Sequence, residues 1–253
     1  MEEYMNKIKV ERIVSWGNEF TPEKLEEMVT RKIRHEKIAI KDVKLRTFIT
    51  EDTNRNEMVQ HVYDITYGTV RVHEDTLVVI DDSIVRGTTL KESIIRMLNR
   101  LKPKKIIIVS SAPQIRYPDC YGIDMSKMGD FIAFKAAVAL LKESGQEKFL
   151  TDILEQCKDL QRNNKLHTEN LVRQVYKPFL LEEISEKIAK LITPEDVTIP
   201  VQVIYQTIET LHEACPNNKG DWYFTGNYPT PGGNKVCNKA FMNYMEGKNV
   251  RGY

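Results

Sequence analysis

Apolar and polar positions alternate along this chain with two different periods. Leu77 to Ile80, "LVVI", is a short all-apolar run rich in β-branched residues, the pattern of a strand buried on both faces of a parallel sheet. Leu90, Ile94, Met97, Leu98 and Leu101 then recur at three- and four-residue intervals, with Lys102 at the end and Pro103 just beyond, which predicts a helix. A second apolar run, "IIIVSS" from Ile106, predicts the next strand. Strand, crossover helix and parallel strand in so short a span form the β-α-β unit of a doubly wound α/β fold.

Upstream, Thr21-Pro22 predicts a helix start, with Thr as N-cap, Pro at the first helical position, and Leu25, Met28, Val29 and Ile33 as the buried stripe. Strand-like segments flank it at Val10 to Ser15 and Glu36 to Ile49. "MEEYMNKIK" has an apolar stripe at helical spacing and no capping residue, so it is expected to be the tail end of a truncated helix. From about Gly129 the pattern turns helical: "DFIAFKAAVALLKESG", "EKFLTDILEQCKDL", "LLEEISEKIAKLI" and "VQVIYQTIETLHEAC" are amphipathic segments. The expected organisation is one unit over residues 1–150 and a helical C-terminal extension over 151–253. It ends in "GDWYFTGNYPTPGGNKVCN", read as a loop that packs Trp222, Tyr223 and Phe224 against the body, or alternatively as a lid or partner surface.

Composition narrows the classes. The 253 residues are 41% hydrophobic and 29% charged with a formal net charge of +1, which offers no bulk attraction to nucleic acid. No apolar run approaches the roughly 20 residues that span a bilayer, and no secretory signal is apparent, so a cytoplasmic protein is expected. Cys120, Cys157, Cys215 and Cys237 lack a C-x-x-C pair and predict free thiols. His212 and Cys215 fall short of the four ligands a structural zinc site uses.

The candidate chemistry lies where the first strand ends. In "DDSIVRGTT", Gly87 lets a backbone come close to a ligand, Thr88 and Thr89 add hydroxyls, and the following helix start favours a phosphate. Asp81 and Asp82, just before it, suit sugar hydroxyls and recruit Mg²⁺. A sugar phosphate satisfies both ends. The competing interpretation is a solvated turn in which Asp82 or Ser83 caps the helix.

The wording of this stretch resembles the phosphoribosylpyrophosphate-binding motif of type I phosphoribosyltransferases, in the form used by amidophosphoribosyltransferases. "LRTFI" (Leu45 to Ile49) is similar to that family's flexible-loop segment, and "SSAPQIRYPDCYGIDM" (Ser110 to Met125) to its S-x-x-P-x-I-R-x-P-x-x-Y-G-I-D block. The resemblance covers roughly residues 45 to 135. It implies a type I phosphoribosyltransferase-like fold, a mainly parallel sheet flanked by helices, that transfers a phosphoribosyl group from phosphoribosylpyrophosphate to ammonia with Mg²⁺. It implies that Asp81 and Asp82 hold the ribose, that Ser83, Arg86, Gly87, Thr88 and Thr89 hold the 5-phosphate, and that Arg46 meets the pyrophosphate. A glutaminase domain upstream and a homo-oligomer are the partners implied, without nucleic acid or membrane.

The departures shape the expectation further. No cysteine precedes Cys120 to serve as a glutaminase nucleophile, and residues 1–44 hold nothing like the family's pyrophosphate loop. Arg55 sits one residue from the family's spacing. Cys120 is out of register with the ligand some relatives give an iron–sulfur cluster, and the later C-x-x-C pair is absent, so no cluster is expected. A non-catalytic regulator sensing phosphoribosylpyrophosphate on the same fold is the alternative function.

Overall fold

The computed structural model describes residues 2–32, 34–35, 39–41, 63–66, 68–121, 125–218 and 220–252. Arg46, Arg55 and the "LRTFI" segment lie outside these residues, as does Ile33.

The chain opens with helix α1 (Glu2–Ser15). Val10 to Ser15, expected as a strand, is the end of this helix. Its β-branched residues are interleaved with Glu11 and Arg12, and no turn residue separates them from the helical turns upstream, so the helix propagates through them. Helix α2 (Pro22–Thr30) starts as predicted: the Thr21 hydroxyl accepts the Lys24 N–H at 3.2 Å and Pro22 occupies the first turn. Met28 is buried, whereas Val29 of the expected stripe is exposed. Strand β1 (Ala39–Lys41) pairs antiparallel with β2 (Tyr63–Ile65), Ala39 opposite Ile65.

The main sheet has the parallel order β3-β4-β5, formed by β3 (Thr76–Asp81), β4 (Lys105–Ser110) and β5 (Val201–Tyr205). Asp81 stands beside Ser110, and Ser110 beside Tyr205. The crossover from β3 to β4 enters through a π-helical turn (Leu90–Ile94) that continues as α3 (Ile95–Asn99). After β4 come α4 (Ile132–Glu143), α5 (Glu147–Arg162), a 3₁₀ segment (Leu171–Tyr176) and α6 (Leu181–Ile192), which lies along β5. Then follow α7 (Ile208–Ala214), the single turn α8 (Trp222–Thr225) and α9 (Pro231–Met245).

Two further expected elements change type. "VQVIY", read as the start of a helix, is strand β5: Val203 and Tyr205 are buried while Gln202 and Ile204 face out, a period of two. The C-terminal extension therefore contributes to the sheet. The Gly/Pro tail is irregular only as far as Thr230, and there only outside the single turn α8, and Pro231 opens a fifteen-residue helix. Gly233 is needed inside that helix because a Cβ there would stand 2.4 Å from the Tyr228 ring.

One apolar cluster runs from Leu77 to Met242, with Phe131, Phe134 and Phe241 fully buried. Phe134 meets Phe241 and Tyr244 edge-on at centroid distances of 6.2 and 4.9 Å. This cluster covers one face of the sheet. On the opposite face Val78 and Ile80 are 60% and 62% exposed, and Ile204 is exposed as well. Among the described residues no helix is long and apolar enough to cross a membrane.

Candidate functional site

Strand β3 ends on Asp81, which places both carboxylates at the C-terminal edge of a parallel sheet, where ligands of open α/β folds bind. The turn that follows is held by its own acids: Asp82 N–H donates to Asp81 Oδ1 at 3.1 Å, and Ser83 N–H to Asp82 Oδ1 at 2.7 Å. Strand β4 ties down the same corner. Ser111 N–H donates to the Asp81 carbonyl at 2.9 Å, and its hydroxyl to the Asp81 and Asp82 carbonyls at 3.2 Å each. Asp81 is half-buried, and burial first, then the charge of Asp82, raises its carboxyl above the usual carboxylate range.

Beyond the acids the backbone curls into the helix start. Gly87 sits at φ +72°, in the left-handed region, and a Cβ on it would lie 2.7 Å from Ile192 Cγ2. Ile132 N–H donates to the Val85 carbonyl at 2.8 Å, and Lys91 N–H to the Gly87 carbonyl at 3.0 Å. The N–H groups of Val85, Arg86 and Gly87 make no hydrogen bond among the described residues, so they remain available to an anion. Arg86 turns aside: its Nε and Nη2 donate to Asp130 Oδ2 at 3.3 and 3.2 Å.

Asp81, Asp82, Ser83, Arg86, Gly87, Thr88 and Thr89 all line one cavity of about 490 Å³. Its two ends differ in character, acidic at Asp81 and Asp82, donor-rich at the loop. Two adjacent carboxylates are hard oxygen donors that fit Mg²⁺, which takes one or two such ligands and completes its shell with substrate phosphates and water. Among the described residues no cluster of three or more His, Cys, Asp or Glu could hold a metal by itself.

The second quoted block does not line this cavity. Arg116 donates to Gln114 Oε1 at 3.1 and 2.7 Å and lies over the Tyr176 ring at 5.1 Å, while Tyr176 donates its hydroxyl proton to the Arg116 carbonyl at 2.7 Å. Gln114 Nε2 donates in turn to the Leu181 carbonyl and Ser185 Oγ. These bonds join the end of β4 to α6. Gly122 to Asp124 of the block fall outside the described residues.

Sequence reasoning overlooked Ser111, Asp130, Ile132 and Ile192, which shape the loop from a distance. All four lie in segments singled out above, Ser111 in the Ser110–Met125 block and the others in amphipathic runs, but none of those patterns distinguishes a residue that supports the loop from one that merely packs.

No protein-family model matches the chain. Curated relatives do. The amidophosphoribosyltransferase of Pasteurella multocida is 48% identical over 61 residues, 24% of this chain and 12% of that protein. The Lachancea kluyveri protein of the same name is 34% identical over 128 residues, 48% of this chain and 24% of its own length. A solved structure of glutamine phosphoribosylpyrophosphate amidotransferase from B. subtilis, complexed with ADP and GMP, aligns with a TM-score of 0.43 at 23% identity, covering 76% of this chain and 32% of that one. The chain thus spans between 12% and 24% of the length of these two curated relatives. Over the stretches they share, this chain is similar to amidophosphoribosyltransferases.

Proposed function

We propose that the chain binds 5-phosphoribosyl 1-pyrophosphate and carries out the phosphoribosyl transfer to ammonia that yields 5-phosphoribosylamine, a step of purine synthesis. The observation that carries this proposal is the joining, in one cavity, of an acid pair and a loop of unbonded N–H groups, in a chain 48% identical to an amidophosphoribosyltransferase over 61 residues. Asp81 and Asp82 accept hydrogen bonds from the ribose hydroxyls. Ser83, Gly87, Thr88 and Thr89, with Arg86 beside them, take the 5-phosphate, and Arg46 is assigned to the pyrophosphate.

In the transfer, the bond from the anomeric carbon to the pyrophosphate oxygen breaks with its electron pair, the ammonia lone pair forms the new C–N bond, and the nitrogen then loses a proton. The centre passes through an oxocarbenium-like state, so holding the ribose and stabilising the departing charge are the main tasks. Mg²⁺, when bound, neutralises charge on the pyrophosphate, and Asp81 and Asp82 are the residues that would hold it. Ammonia from a glutaminase domain, a homo-oligomeric assembly and a cytoplasmic setting belong to the same proposal. Nothing in the fold or the relatives favours the regulator alternative.

The test is calorimetric titration with Mg²⁺ and phosphoribosylpyrophosphate on the wild-type protein and on Asp81→Asn with Asp82→Asn. Binding by the first and none by the second is expected. Equal affinity in both would place the site elsewhere.

A further inference from the structure

We propose that Asp130 is a positioning residue for the phosphate loop: through Arg86 it fixes the loop's shape, and Arg86 itself serves as the loop's anchor rather than as a phosphate ligand. The inference rests on the function proposed above and assigns a role to a residue outside its motif.

The loop is attached to the segment leading into α4 at two adjacent points. Arg86 donates twice to Asp130 Oδ2, at 3.3 and 3.2 Å, and Val85 accepts the Ile132 N–H at 2.8 Å. Two bonds from one guanidinium to one oxygen, beside a main-chain bond on the neighbouring residue, restrict both the side chain and the peptide of the loop. The third constraint is steric, from Ile192 against Gly87. With Arg86 drawn away in this manner, the N–H groups of Val85, Arg86 and Gly87 are left as the donors lining the loop.

The anchoring segment is itself firmly seated. Met128 and Phe131, on either side of Asp130, are 1% and 0% exposed. Gly129 packs so closely on Tyr244 of α9 that a Cβ there would lie 3.1 Å from the ring. Asp130 therefore projects from a fixed point in the C-terminal layer, whereas the loop packs into the core through Ile84 and Val85 and is exposed beyond them at Arg86, Thr88 and Thr89. A phosphate loop must hold its N–H groups convergent before the ligand arrives, because ordering them on binding subtracts from affinity.

Asp130→Asn preserves volume and removes the charge. Isothermal titration with ribose 5-phosphate should show affinity falling about threefold to fivefold, the range of a partly exposed ion pair. Arg86→Gln should fall by the same factor, the double variant by no more than either single change, and Asp130→Glu should recover most of the loss. Tighter binding by Asp130→Asn would show that its carboxylate competes with the ligand for Arg86 and would overturn the proposal. So would an Arg86→Gln loss far beyond that of Asp130→Asn, which would put Arg86 on the phosphate. If the wild-type protein fails to bind ribose 5-phosphate, the proposed function fails, and amide hydrogen exchange decides the anchor without ligand. Faster exchange of the Ile132 and Lys91 amides, which donate to the Val85 and Gly87 carbonyls of the loop, in Asp130→Asn supports it, and wild-type rates at both refute it.

Discussion

The ribose-binding role proposed for Asp81 calls for an ionised carboxylate at a position where the fold disfavours the charge. Its folded carboxyl titrates above its unfolded value, by burial and by Asp82, so the protonated form is the one the fold prefers. The penalty is therefore absent below the unfolded value, near pH 4, and grows as pH rises through the folded one. Asp81→Asn should raise the melting temperature by about 1–3 °C at pH 7, with the gain vanishing as pH falls below about 4, while ligand binding is lost. A melting series across pH checks the sign. Gly87→Ala should cost about 1–3 kcal/mol in denaturant titrations and weaken ribose 5-phosphate binding, because a left-handed φ and a 2.7 Å contact with Ile192 must both be relieved. At this scale the cavity was legible because seven of its residues are near neighbours in the chain. Asp130 and Ile192 were not, since nothing local distinguishes a residue that is brought in by folding.

Elements with one clear period were read correctly, and those with mixed cues were not. "LVVI", "IIIVSS" and the three amphipathic helices before residue 192 appear where the pattern puts them. "VQVIY" was absorbed into the helix that follows it, because Val201, Ile204 and Ile208 also fit helical spacing, and only pairing with β4 decides for the strand. The Gly/Pro stretch before α9 hid a helix start for a similar reason: Pro231 is favourable in a first turn, and Gly233 serves packing against Tyr228 rather than turning. Asn238 shows how α9 is fastened. Fully buried, it accepts the Leu171 N–H at 3.0 Å and donates to the Leu166 and Glu169 carbonyls at 2.9 and 2.8 Å. Asn238→Ala leaves three main-chain groups without partners and should destabilise by about 2–4 kcal/mol, measured by chemical denaturation, whereas Lys235→Gln, at an exposed position of the same helix, should change little.

For the molecule as a whole, the division near residue 150 separates stretches of chain that share one core. A single cooperative calorimetric transition is expected for the residues in that cluster, since Leu77 and Met242 belong to it alike. The second face of the sheet is different. Parallel sheets are ordinarily covered on both sides, and Val78, Ile80 and Ile204 are exposed here, so the isolated chain should enhance the fluorescence of an apolar dye such as ANS at neutral pH. Replacing Val78 and Ile80 by threonine should remove most of that signal without loss of secondary structure. Finally, the order in which the sheet and its loop acquire their supports has a bearing on synthesis. β3 and the loop at residues 83–88 leave the ribosome before Asp130, and Ile192, β5 and α9 follow in that order. At about 5–20 residues per second the loop waits on the order of ten seconds for its backstop. A nascent chain stalled before Ile192 should therefore be open to proteolysis around residues 83–88, and one extended beyond α9 should resist it, so the loop takes its final shape only well after its own codons have been read.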